Sequence, residues 1–149
     1  MEKSLFKNEG RFFKANLHNH TTISDGQNTP EEIKQYYMAQ RYNIVAYSDH
    51  DIMVPHPELT DENFLALTAF EYEFAEKKDP ENPWTPFDRC YHTVVIAPVE
   101  NCTYYPWANP DYAWGNARKY IQDYYKGSYS HEYDVENINN LIKDAHVRF

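Results

Sequence analysis

The chain has 149 residues, 42% of them hydrophobic, which is enough to bury the core of one domain and argues against disorder. Acidic residues outnumber basic ones 23 to 14, giving a formal charge of −9 with neutral histidines, and the absence of a basic patch disfavours a bare nucleic-acid-binding surface. No N-terminal apolar segment or long hydrophobic run is present, so the expectation is a cytoplasmic chain without a membrane partner.

The first predicted element is a strand carrying His18 and His20. Side chains alternate across a strand, so this pair projects from one face, close enough to share an ion, while Asn19 faces away. Imidazole is the commonest protein ligand for Zn, Mn and Fe-type ions because it offers a neutral nitrogen lone pair. A turn with Ser24, Asp25 and Gly26 follows. Thr29 then caps a helix through its hydroxyl, Pro30 suits the first helical position and Glu32 completes a capping box. The spacing predicts a helix to about residue 41 or 42 that buries Ile33, Tyr36 and Tyr37. Residues 43–48 read as the second strand, mostly apolar as a doubly covered sheet requires, and lead into Asp49, His50 and Asp51.

His56 and Pro57 fall where a loop is expected. The apolar run that starts at Leu65 ends on Glu71 and reads as a strand; Glu73 and Glu76 are nearby, but Glu71 directly terminates the run. Residues 76–90, with Pro80, Pro83, Pro86 and Trp84 among charged residues, read as a surface insertion near the site. The next strand, residues 91–97, opens on His92. After an irregular stretch over 101–110, a helix is predicted from about 112 to 125, with His131 in a loop beyond it. Val135, Ile138, Leu141, Ile142 and Ala145 then follow helical spacing. On a helix Asp144 and His146 lie on nearly opposite faces and do not share an ion.

Cys90 and Cys102 lack CxxC spacing and read as incidental reduced thiols. Most of the 14 tyrosines are packing residues. Tyr72, Tyr91, Trp84 and Trp107 are the aromatics considered as pocket walls, and Arg89 is the cation placed to hold a substrate phosphate against its bland reading as a solvated loop arginine.

Taken in order, residues 16–26, the helix start at Thr29 to Glu32 and residues 44–51 resemble the PHP family, the polymerase and histidinol phosphatase type of metallo-phosphoesterase. The resemblance implies an α/β fold, a distorted (β/α)7 barrel that binds two or three divalent ions at the C-terminal ends of its strands. It matches His18, His20, Asp25 and His50 to metal-ligand positions, with Glu71 as the bridging carboxylate and His92 as the following ligand. Imidazole and carboxylate ligation without thiolate suits Mn, Zn or Fe. The implied activity is hydrolysis of a phosphoester in a phosphorylated small molecule or nucleotide, by water activated on the ions and without a side-chain nucleophile. Asp49 is then a residue that orients the ligands from behind, its side chain alternating away from that of His50.

The family's His-Pro pair and final Asp-x-His have no secure counterpart here. Barrels of this kind run to about 250 residues. The chain is therefore read as one PHP-like domain over residues 1–149, the N-terminal portion of a partial barrel lacking its C-terminal strands and helices. Such a chain is expected to be a weak enzyme alone and to pair with another copy or a missing C-terminal segment. Two other readings stand beside this one. One is a shortened module that binds metal or partners without efficient catalysis. The other is an amidohydrolase-type metallohydrolase, which also begins on His-x-His, although Ser24-Asp25-Gly26 and Ser48-Asp49-His50 weigh against it.

Overall fold

β-Branched and aromatic residues concentrate in the last three strands of this chain, and a first, more polar strand joins them in one mixed sheet. The structure, a computed structural model, describes residues 10–76, 90–98, 116 and 132–148. In chain order the elements are β1 (Ala15–Asn19), α1 (Pro30–Ala39), β2 (Ile44–Tyr47), a short 3-10 turn (Pro57–Leu59), β3 (Leu65–Ala75), β4 (Cys90–Ile96) and α2 (Val135–Arg148). The result is a mixed α/β unit with a curled four-stranded sheet in the order β1-β2-β3-β4.

β1, β2 and β3 run parallel, whereas β4 returns antiparallel along β3. β4 thus departs from the parallel strand order that a (β/α) barrel implies. Phe70, Tyr72 and Phe74 carry β3 past Glu71 as far as Ala75, and β4 pairs along that extension from Ala69 opposite Ile96 to Ala75 opposite Cys90. Glu71 is thus an internal residue of β3, not its last. Cys90, assigned from the sequence to an insertion, is the first residue of β4.

At α1 the predicted capping box is present: Glu32 N donates to Thr29 Oγ1 and Thr29 N donates to Glu32 Oε2. The helix ends at Ala39, before the predicted 41 or 42, because Arg41 takes a left-handed backbone with φ 63°. Ile33 is buried and Tyr37, four residues on, packs partly beneath the same face. Tyr36 is exposed, contrary to expectation. It lies to one side of the face that meets the sheet, with its ring edge-on to Tyr37.

Two apolar cores flank β3. One joins Ile33, Val45, Tyr47, Leu59, Phe64 and Ala66, beneath α1. The other joins Met53, Phe70, Tyr72, Phe74, Ala97, Leu141 and Ala145, beneath α2. The helical reading of residues 135–145 holds, with Leu141 and Ala145 facing inward. Tyr72 is fully buried against Phe74 and so is a core residue, not a pocket wall; Tyr91 is exposed. The predicted helix over 112–125, apart from Asn116, lies outside the described residues, as do Trp84, Arg89, Cys102, Trp107 and His131. Among the described residues no helix is long and apolar enough to cross a membrane.

Candidate metal centre

Parallel pairing sets the ends of β1 and β2 side by side, and the ladder continues past them. Ser48 N donates to Asn19 O at 2.8 Å, Glu71 N to Asp49 O at 3.1 Å and Asp51 N to Glu71 O at 2.9 Å. His50 consequently sits beside Glu71 as its bridge partner, while antiparallel register places His92 opposite Glu73. His18 lies near the end of β1 and His20 just after it, and Asp25 comes from the turn that follows.

These elements bring His18, His20, Asp25, His50, Glu71 and His92 into one cluster centred on the Glu71 carboxylate. Oε1 lies 3.0 Å from His92 Nδ1 and 3.5 Å from His18 Nε2. Oε2 lies 2.9 Å from His20 Nε2 and 3.3 Å from His50 Nδ1. Asp25 reaches His20 Nδ1 at 2.8 Å and His50 Nε2 at 3.7 Å. Donor atoms within 4.8 Å of one another form overlapping sets, His18 with His20 and Glu71, His20 with Asp25 and His50, and His50 with Glu71 and His92. The Glu71 and His50 side chains form a floor only 4% and 7% exposed, while His18 and Asp25, at 48% and 44%, form a rim open to solvent.

Whether these residues fit a metal is decided by how the atoms face each other. His20 Nε2 and Glu71 Oε2 are both buried and only 2.9 Å apart, yet neither makes an aligned hydrogen bond. A buried polar atom left without a hydrogen bond is costly, whereas lone pairs converging beside each other suit a shared cation. Buried histidine, glutamate and aspartate groups here can therefore hold a metal ion.

The residues behind the cluster hold it in shape. Asp49 is buried and its Oδ1 accepts from Thr21 N, Ser24 N and Ser24 Oγ, while Oδ2 accepts from Thr21 Oγ1. One carboxylate thus ties down the turn that presents Asp25. Ser48 Oγ lies 3.1 Å from His18 Nδ1 and accepts from Asn19 N, fixing the His18 ring. Gly26 allows the turn to fold back on β1, since a Cβ there would lie 2.6 Å from the backbone carbonyl atoms of His20.

Electrostatics divides the histidines. Burial pushes the His20 imidazole down, but the Glu71 contact and the charges of Asp25 and Glu71 outweigh it and hold the ring above its ordinary value. His50 is held below its own, first by burial and then by the neighbouring His20. Burial opposes ionisation of Glu71, yet close His20 and the positive potential of His50, His18 and His92 bring its carboxyl down to about 2. Asp51, behind the floor, is pushed up to about 8 by burial and by the charges of Glu73 and Glu71.

No family model matches this chain, and no curated protein or solved structure matches it either.

The site therefore rests on its own geometry. Among residues set aside in the sequence, His56 packs on the Tyr47 ring and approaches Glu58, belonging to none of the ligand groups. Asp144 and His146 lie on α2, also outside those groups. Sequence reasoning missed one set: Glu73, Cys90 and His92 converge beside the main cluster. Cys90 and His92 stand two apart on a strand, the same spacing that drew attention to His18 and His20, but their partner Glu73 comes from a long-range pairing that spacing does not reveal.

Proposed function

We propose that this chain is a metal-dependent phosphoester hydrolase of the PHP type, with its curled sheet as part of a (β/α) barrel and two or three divalent ions of Mn, Zn or Fe. The observation that carries this reading is the buried carboxylate of Glu71, whose two oxygens are approached by His18, His20, His50 and His92. A carboxylate so placed can bridge two cations and offset their repulsion, which one imidazole cannot do. His18 and His20 would hold one ion and Asp25 and His50 another, with Glu71 reaching toward a third held by His92. When bound, such ions acidify water and offset negative charge on a phosphoryl group.

The chain's own residues supply the frame for that chemistry. Asp25 accepts from His20 Nδ1, which directs the other ring nitrogen toward Glu71. The exposed rim of His18, Asp25 and His92 leaves room for an anionic ester of a small molecule or nucleotide, while the acidic balance of the chain turns away long nucleic acids. β1 and β4 are the outer strands of the sheet among the described residues, and edges of this kind pair with another copy or with further chain.

The test is hydrolysis of an aryl phosphate by the chain loaded with Mn, Zn or ferrous iron, compared with the chelated protein. Expected is weak but metal-dependent turnover that Glu71→Gln removes, with metal affinity reduced by at least about 10-fold, the least that losing a mere supporting partner of a ligand costs. Tight ion binding without turnover on aryl phosphates or nucleotides at any loading would overturn the enzymatic reading in favour of a non-catalytic metal-binding module.

A further inference from the structure

The two ring nitrogens of His92 face different neighbours. Nδ1 lies 3.0 Å from Glu71 Oε1, on the side of the main cluster. Nε2 lies 3.1 Å from Cys90 Sγ and 3.4 Å from Glu73 Oε2. The sheet itself produces this grouping. Glu73 and His92 are direct partners across the antiparallel ladder, and Cys90, two residues before His92, projects from the same face. The donor atoms of Glu73, Cys90 and His92 all lie within 4.8 Å of one another.

We propose that Glu73, Cys90 and His92 form a separate, thiolate-containing site for a soft or borderline divalent ion of the zinc class. Tetrahedral zinc, with bonds of about 2.3 Å to sulfur and 2.0–2.1 Å to nitrogen or oxygen, holds sulfur and nitrogen about 3.5 Å apart and nitrogen and oxygen about 3.4 Å apart. The observed separations differ from these by about half an ångström or less, within reach of small side-chain rotations. Three protein ligands leave a fourth position for water or an anion. Binding replaces the S–H bond of Cys90 with an S–metal bond, and the proton leaves to solvent.

Thiolate distinguishes this group from the imidazole and carboxylate set around Glu71, which carries no sulfur. Soft ligands favour zinc over manganese or magnesium, so the neighbouring groups sort ions by softness. They remain linked through one imidazole, because an ion on each nitrogen of His92 requires the ring to give up both of its protons. Ion binding by these three residues is independent of any phosphoester hydrolysis at the neighbouring cluster.

Cadmium titration of the reduced full chain, followed by ultraviolet thiolate-to-cadmium charge transfer, tests it. The band is expected in the wild type and in Cys102→Ser, which removes the other cysteine, and is expected to vanish in Cys90→Ser. Glu73→Gln is expected to weaken the titration by at least about 10-fold, the least that losing even a supporting partner of a ligand costs. Circular dichroism of each variant checks that the fold is retained, and Cys90 is exposed at the start of β4, where serine is readily accommodated. A wild-type chain without the band, or a band that survives in folded Cys90→Ser or depends on Cys102 instead, would overturn the proposal. None of these readings involves turnover, so failure here is separable from failure of the phosphoesterase assignment.

Discussion

Asp51 combines a left-handed backbone, φ 54°, with a buried carboxyl held near Glu71 and Glu73. Its raised value, about 8, means that the folded chain keeps a proton there while the unfolded chain gives it up near the ordinary 3.8. Between those values the unfolded state binds fewer protons, so this group makes stability fall as pH rises, by at most about 1.4 kcal/mol per pH unit. The contribution is fully present below about 4 and lost above about 8. Asp51→Asn preserves shape and tolerates the left-handed backbone while removing the ionisation. In metal-free protein, thermal melts should show the variant gaining on the wild type from about pH 4 to pH 8 and levelling off beyond it. A difference independent of pH would count against this account. Nothing in the sequence announces that behaviour: Asp51 reads there as the end of a ligand motif, and its burial depends on the strand that later packs beside it. Residue types were legible where the chemistry is local, as with His18 and His20. They were not legible where register decides, as with Glu73 beside Cys90 and His92.

At the scale of elements, the turn between β1 and α1 depends on one side chain. Asp49 accepts from both backbone and hydroxyl groups of Thr21 and Ser24, and so fixes the approach to Asp25. Asp49→Asn would replace an acceptor oxygen by an amide donor among existing donors. Hydrogen bonds to a charged group contribute about 1.5–3 kcal/mol each, and a buried donor left without an acceptor adds a similar cost. Urea unfolding of the metal-free chain should therefore show a loss of about 2 kcal/mol or more, with weaker metal binding as Asp25 loses its support. An unchanged midpoint would mean that the turn is held by something else. The helix start was legible because Thr29, Pro30 and Glu32 act on their own backbone. Its end was not, since the left-handed turn at Arg41 answers to the entry into β2. The direction of β4 was likewise hidden, because parallel and antiparallel partners draw on the same apolar residues and differ only in the path of the chain between them.

For the whole molecule, the Glu71 cluster joins parts of the chain that meet only in the folded state. His18, His20, Asp25 and His50 come from the first two strands and their loops, whereas Glu71 and His92 come from β3 and β4. An ion bound by that set and not by the unfolded chain stabilises it by about 2.7 kcal/mol at a hundred times its dissociation constant. For a chain of this size that corresponds to a rise in melting temperature of about 5–10 °C. Melts with zinc or manganese against chelator should show it, and coincident curves would count against a metal held by the native fold.

Glu71 is bridged to His50 on one side of β3 and paired with Val94 on the other, at the point where the sheet changes from parallel to antiparallel. The carboxylate that the imidazoles surround is therefore carried by backbone with a neighbour on each flank, so a substitution that loosened either pairing would disturb the spacing of the whole ligand set.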